Sequence, residues 1–402
     1  MRRHLWLSIA VAGSLLFGGV VAAHAGSGSS KDTKKPIIIG AAIGISGILA
    51  PYDAPPYQGI QLEANKINAK GGLLGRPIKF VLRDMRSKMS EASRAAQAVI
   101  DAGATLLLVP CDPDFAAPGG IVGQSKGVVT FSICEASSRW GAKSIGPLAY
   151  TPSQIVFLEG YVMAEWAALK KHWKKAFVVD EKSWSYTKDA CTGFQNRWNT
   201  LAGKQGTVGQ DNLAYDDTSI ASTITRIKSA KPSPDFIYLC SQTPEAAGWI
   251  RQMRAAGLNQ PILSDMAMDG NYWLGAVKGL SNFYYPAAGS VFGDDPDPAI
   301  NTFVKEFTAA TKSKPQTSYV LYGPALLQIY AEAVKRAGTD DPAKVVKALD
   351  SFKKVPTLVG QTTYTPDAHI VLDRPMRIMQ VQNGKMGYLE TWTVKKAPTL
   401  NG

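Results

Sequence analysis

The sequence predicts an α/β fold of two doubly wound, Rossmann-like lobes joined by three crossings of the chain. Three observations predict it. Short β-branched apolar runs alternate with stretches of helical period from Pro36 to Leu263, the rhythm of parallel sheets covered by helices. The chain of 402 residues is too long for one compact core and comfortable for two. It closes on two period-2 segments around Asn383-Gly384, a hairpin signal. A single doubly wound domain does not usually end so, whereas a chain crossing between lobes more than once can.

The first 25 residues read as a signal peptide: Arg2-Arg3, an apolar stretch from Leu5 to Ala22, and Ala23-His24-Ala25 as a small-x-small cleavage site. Their removal from 402 leaves 377 residues and implies a periplasmic location. Residues 26–35 read as a flexible Gly/Ser/Lys tether. Pro36-Ile37-Ile38-Ile39 is a buried strand, followed by a small-residue loop, Gly40 to Gly47, with an aromatic tip at Tyr52. From Pro56 the period changes, and Ile60, Ala64 and Ile67 share a helix face closed by Gly71-Gly72. A strand follows over Ile78 to Leu82. This strand, loop, helix and strand organise the chain, because an open parallel sheet binds ligands at its carboxyl ends.

The rhythm continues with a helix near Glu91 to Gly103, a strand Thr105 to Val109, a loop Pro110 to Pro118 entering a helix, and a strand Val128 to Ile133. A long helix after Thr151-Pro152 carries Ile155, Leu158, Val162, Trp166 and Leu169 on its apolar face. Strands are expected at Ala176 to Val179, Phe236 to Leu239 and from Pro261, with helices at Lys188 to Leu201 and Pro244 to Gly257. Helices at Ala299 to Lys312, Ser318 to Gly338 and Pro342 to Phe352 precede the hairpin of Met376 to Val381 and Tyr388 to Thr393. The crossings fall at Gly146 to Pro152, Tyr284 to Gly289 and Gly360 to Pro366. Lobe 1 is then 36–149 plus 287–362, lobe 2 is 150–286 plus 363–394, and 395–402 is a C-terminal tail.

Composition excludes several functions. The net charge of +12 falls to about +10 without Arg2 and Arg3, and the basic runs are short and scattered. No stripe of arginines with interleaved aromatics appears, so no nucleic-acid partner is expected. Gly40-x3-Gly44-x2-Gly47 lacks the dinucleotide spacing, so no cofactor is expected. Gly123-x-Ser125-x-Gly127 matches a nucleophile elbow in letters only, since a helix precedes it and a strand follows. Only His172 and His369 lie beyond the signal segment, which leaves neither a Ser-His-Asp triad nor a histidine metal centre. Asp294-Asp295-Pro296-Asp297 reads as a solvated acidic turn, not a calcium loop. Four cysteines in an exported chain allow three pairings. Cys111 and Cys134 both follow strands of the first lobe, and Cys191 and Cys240 belong to the second. The pairs expected are Cys111–Cys134 and Cys191–Cys240, with free thiols near the cleft as the competing outcome. What remains is a two-lobed, exported chain without catalytic equipment, the design of a closing binding protein.

Ser46-Gly47-x4-Tyr52, Gly59, Ile67-Asn68-Ala69-Lys70-Gly71-Gly72-Leu73-Leu74-Gly75-Arg76-Pro77, Pro244-Glu245 and Arg251-Gln252-x-Arg254-Ala255-Ala256-Gly257-Leu258 resemble periplasmic substrate-binding proteins of the leucine/isoleucine/valine-binding type. The resemblance covers residues 36–393. It implies the type I, Venus-flytrap fold with three hinge crossings, no enzymatic activity, and a monomer that delivers a small-molecule ligand to an ABC permease and its ATPase subunits. It implies contact with the membrane only through the permease. The family's ligand-packing aromatic matches Tyr52. Its serine and threonine loop, which binds a ligand carboxylate, reads Cys111-Asp112-Pro113-Asp114-Phe115 here. The next loop reads Ser132-Ile133-Cys134-Glu135-Ala136-Ser137, where Ser137 keeps a hydroxyl. The second-lobe tyrosines match Trp184, with Tyr186 as the rival, and Gln242. The glutamate that pairs with a ligand ammonium falls on Met266, with Asp265 and Asp269 nearby.

The amino-acid clamp is therefore altered at both ends, and a simple branched-chain amino acid is not the expected ligand. Asp112, Asp114 and Glu135 suit a cation, an amide or a hydroxylated compound, while Tyr52, Phe115, Trp184 and Met266 suit a flat or apolar body. Asp114 serves equally well as a helix N-cap. A sensory module that presents its bound solute to a receptor is the alternative function. An exported enzyme is disfavoured by the missing nucleophile and base.

Overall fold

The computed structural model describes residues 34–402 except 243–244. The expected signal peptide and nearly all of the tether lie outside the described residues. Among the described residues no helix is long and apolar enough to cross a membrane.

The chain runs β1 (Ile37–Ile43), α1 (Ala50–Ala69), β2 (Ile78–Asp84), α2 (Met89–Asp101), β3 (Leu106–Val109), α3 (Pro113–Lys126), β4 (Val129–Ser132) and β5 (Ala149–Tyr150). These strands form one parallel sheet in the order β2-β1-β3-β4-β5. A second series follows: α4 (Val156–Glu165), β6 (Ala176–Glu181), α5 (Ser185–Ala202), β7 (Thr207–Leu213), α6 (Ala221–Ser229), β8 (Phe236–Cys240), α7 (Glu245–Ala255), β9 (Ile262–Ser264) and β10 (Phe283–Ala287). The chain then adds α8 (Pro298–Thr311), α9 (Tyr322–Ala337), α10 (Pro342–Leu349), a small ribbon of β11 (Val355–Thr357) and β12 (Gly360–Thr362), and the hairpin β13 (Met376–Gln382) and β14 (Lys385–Trp392). The second sheet is ordered β14-β13-β10-β9-β8-β6-β7, parallel except for the hairpin, which adds antiparallel to β10. Helices α8 and α9 return to the first sheet's layer and pack on α1. These are two α/β lobes.

Three segments connect the lobes: 151–155, 288–297 and 363–375. The first and third run side by side. Ile155 N donates to Val371 O at 2.8 Å, Val371 N to Ser153 O at 3.2 Å, and the buried Arg374 guanidinium to Pro152 O at 2.9 Å. These bonds hold the first and third crossings side by side between the two lobes.

Several local expectations are corrected. The strand does not end at Gly40 but runs to Ile43, because a Cβ at Gly40 would lie 2.6 Å from Ala104 and 2.7 Å from Val99. The glycine lets α2 press on the strand rather than breaking it. Helix α1 starts at Ala50, so Tyr52 stands in its first turn, and Pro55 and Pro56 lie inside the helix rather than at its boundary. In the long apolar helix all of α4 is buried, but Leu169 in the following π turn is exposed. Residues 203–235 carry β7 and α6, where no element is expected from sequence. The acidic turn is solvated at Asp294 and Asp297 but not at Asp295. Asp295 is buried, pairs with Arg377 at 3.0 Å and accepts from Ser290 N, and Asp297 caps α8. Gly123 to Gly127 is the last turn of α3, with Gly127 as its left-handed cap, and holds no elbow.

Candidate functional site

The carboxyl ends of both sheets meet at a cleft with about 410 Å3 of empty space, open solvent included, around a cavity of about 30 Å3. Its first wall comes from α1 and the loops after β3 and β4, through Tyr52, Asp112 and the Cys111 and Cys134 sulfurs. Tyr319, just before α9, stands beside Tyr52 with ring centroids 5.5 Å apart, edge to face. The opposite wall comes from α4, α5 and the loops after β8 and β9, through Glu159, Tyr186, Gln242 and Met266.

Each acid is set by its element. Asp53, in the first turn of α1, accepts from Gly44 N and Cys111 N, both at 2.8 Å, and so ties the ends of β1 and β3 together. Burial pushes its carboxyl up to about 7, against those two hydrogen bonds. Asp112 caps α3, accepting from Asp114 N at 2.9 Å, and also bonds the Gln242 side chain across the cleft. Burial and the nearby charge of Asp114 raise it to about 7. Glu159 accepts from Tyr186 Oη at 2.6 Å, Met266 N at 3.0 Å and Gln154 Nε2 at 3.2 Å. Burial raises it to about 7 as well, with all three donors opposing the rise.

The cleft brings together Tyr52, Asp112, Tyr186, Gln242 and Met266 among the residues expected from sequence. The others stand outside its lining, each for a visible reason. Asp114 does not cap the helix. Its two oxygens accept from Ser185 Oγ at 2.8 Å and Ser185 N at 3.1 Å, across the lobes. Ser137 donates to Asp189 at 2.6 Å, also across the lobes. Phe115 and Trp184 pack on each other with centroids 5.9 Å apart, so Trp184 joins a first-lobe cluster instead of facing Tyr52. Glu135 is fully buried, accepts from Ser137 N, and is raised well above the carboxylate range by burial. Asp265 is fully buried, accepts from Ser241 N and Ala267 N, and is raised well above that range by burial too. Asp269 holds Thr317 and Ser318.

Sequence reasoning missed Glu159 and Tyr319. Glu159 brings a carboxylate to Met266 from α4, accepting from the Met266 amide. Its signal was available, as the one acid within the apolar run Val156-Phe-Leu-Glu-Gly-Tyr-Val162. Tyr319 carried none, because it is far from Tyr52 in sequence. The disulfides are Cys111–Cys134, with Cα atoms 4.6 Å apart, and Cys191–Cys240, with Cα atoms 5.6 Å apart. The first joins the loops after β3 and β4 and forms part of the cleft wall. The second pins α5 to β8. Asp180, Cys191 and Cys240 cluster closely enough for a metal, but both sulfurs are spent on the disulfide.

Comparison with known proteins places this architecture. A family model described as "Periplasmic binding protein" matches residues 36–385. A Leu/Ile/Val-binding protein of Rhizobium johnstonii is 24% identical over 335 residues, covering 82% of this chain and 87% of that protein. The branched-chain amino acid transporter substrate-binding protein LivJ of Streptococcus pneumoniae, solved with isoleucine, superposes with a TM-score of 0.78 at 20% identity, covering 90% of this chain and all of that one. A solute-binding protein of an R. palustris ABC transporter, solved with benzoate, gives 0.74 at 21% identity, covering 90% and 97%. At such identities these structures establish the fold, not the ligand.

Proposed function

We propose that the chain, which belongs to the periplasmic binding protein family, is the solute-binding component of an ABC importer. It captures a small polar or amphipathic compound in the cleft and presents the closed form to a permease driven by ATPase subunits. The observation that carries this reading is the cleft itself, whose walls come from both lobes and whose lobes already touch. Tyr52 Oη lies 3.4 Å from Ala267 O, and Asp114 and Ser137 reach Ser185 and Asp189. A ligand between such walls makes all its contacts only when the lobes are closed, so binding and closure are one equilibrium. Closure in turn creates the surface a permease can read.

The N-terminal signal sequence supports export to the periplasm, and the chain acts as a monomer. Catalysis finds no support in the cleft, whose acids are engaged by backbone amides, a tyrosine and side-chain amides rather than by a nucleophile. Relatives named for Leu, Ile and Val carry the same fold, but this cleft presents Asp112 where such a ligand's carboxylate would need donors. The test is uptake. Deleting the coding sequence should abolish import of the solute that raises the purified protein's melting point, and membrane vesicles holding the permease should recover import when the protein is added back. Normal import in the deletion, with lost taxis toward the solute, would favour sensing instead.

A further inference from the structure

We propose that the cleft takes a small organic cation, an ammonium-type compound held between the Asp112 and Glu159 carboxylates and among the rings of Tyr52, Tyr186 and Tyr319. This deepens the solute-binding reading and rests on it. Three observations converge. The first is charge. Asp112 and Glu159 line the cavity from opposite lobes, and among the described residues no lysine, arginine or histidine lines it. The groups bearing on Asp112 are also acidic: Asp53 from α1, Asp114 from α3 and Glu135 from the loop after β4. Those bearing on Glu159 are Asp265 and the tyrosines 186, 238, 319 and 322, while Arg374 bears on Tyr322. Buried carboxylates without a counter-charge are costly. A cation closing the cleft supplies that counter-charge, and an anion there would be repelled from both walls.

The second observation is hydrogen-bond direction. The amide and hydroxyl donors near the acids, Met266 N, Tyr186 Oη, Gln154 Nε2 and Gln242, already point at the carboxyls. The ligand meets carboxyl oxygens, together with the hydroxyls of Ser153 and Tyr319, all of which can accept from an ammonium. The third is the apolar lining. Tyrosine rings and the Met266 thioether are the groups that hold ammonium and methylated ammonium ions. An amino-acid zwitterion satisfies Glu159 with its ammonium but sets its carboxylate against Asp112.

The experiment uses the full mature chain, stripped of bound solute by unfolding and refolding. Choline, n-butylamine and putrescine are compared with butyramide, isoleucine and benzoate by calorimetry and thermal shift. At least one cation should bind more tightly than all three non-cations. Its affinity should fall about tenfold per pH unit below pH 7 for each carboxyl that must ionise. D112N and E159Q should each weaken it at least tenfold without lowering the unliganded melting point, since Asn still caps α3 and Gln still accepts from Tyr186. Tighter binding of butyramide, isoleucine or benzoate, or binding indifferent to pH and to both variants, overturns the cation and leaves the solute-binding reading standing. Silence from all six compounds overturns the cation as well. A small-molecule extract of growth medium then separates the two readings: a melting shift keeps the binding protein, and none ends both.

Discussion

The acids at the cleft give the protein a pH response opposite to that of most surfaces. Asp53, Asp112 and Glu159 are each held near 7 by burial, and Glu135 and Asp265 well above the ordinary carboxylate range. A carboxyl whose folded value is raised binds its proton more tightly folded than unfolded. Folding is then favoured at low pH and loses stability as pH rises from about 4 to 7. The unliganded protein should therefore melt higher at pH 5 than at pH 8, as measured by scanning calorimetry. Asp211, lowered on balance by Thr223 and Arg226, works in the other direction below pH 4, and His369, lowered by burial, opposes the trend inside this window as one group against five. E159Q should flatten the profile, and an unchanged slope would show that Glu159 is not one of the groups responsible. None of these shifts was legible residue by residue. Asp112 and Glu135 were visible as acids in strand-end loops, but their burial follows from loops packed beneath a second lobe.

At the scale of elements, close approach decides more than propensity. Helices α1 and α9 cross where each has a glycine: a Cβ at Gly323 would lie 1.9 Å from Pro56 O, and one at Gly59 would lie 2.3 Å from Val320 O. Backbone cannot swing aside as a side chain can, so Gly323→Ala should cost about 1–3 kcal/mol in urea unfolding while leaving the second lobe's packing unchanged. The Cys191–Cys240 disulfide spans 49 residues between α5 and β8. Replacing both with alanine should cost roughly 3–4 kcal/mol by the chain-entropy relation, again read by urea. A loss below 1 kcal/mol would mean that the stacked Phe194 and Tyr238, with centroids 3.7 Å apart, already secure that junction. The hairpin was readable in advance, because Asn383 and Gly384 both take positive φ in a two-residue turn. Strand β7 was not, because Thr207-Val-Gly-Gln-Asp-Asn-Leu213 is an edge strand with mixed exposure and no clean alternation.

For the whole molecule the question is what holds the lobes together. The direct links are polar: Asp114 with Ser185, Ser137 with Asp189, Tyr52 with Ala267, Asp112 with Gln242, and Asp269 with Thr317 and Ser318. Phe115 against Trp184 adds an aromatic contact beside them. Asp114→Ala removes two hydrogen bonds across the lobes without touching the cavity lining. It should raise the radius of gyration of the unliganded protein in X-ray scattering and weaken ligand binding about tenfold, in line with about 1.5 kcal/mol for a bond to a charged group. Unchanged scattering would mean that the hinge bundle, with Arg374 tying Pro152 to the third crossing, sets the lobe arrangement unaided.

Apart from β7, α6 and the shortest strands, the order of strands and helices, with the division into two lobes and the terminal hairpin, was determined by the sequence itself. Period, breaker residues and chain length act locally or through bulk composition, and no partner across the fold can change them. The departure of Asp112 from a hydroxyl loop was legible in the same way. Only the tertiary structure decided which polar side chains share the cleft. Glu159 reaches Met266 over 107 residues, Tyr319 meets Tyr52 over 267, and Asp114 turns away to Ser185. Those choices follow from how two separately wound sheets are brought face to face, and a carboxylate's role depends on what lies opposite it.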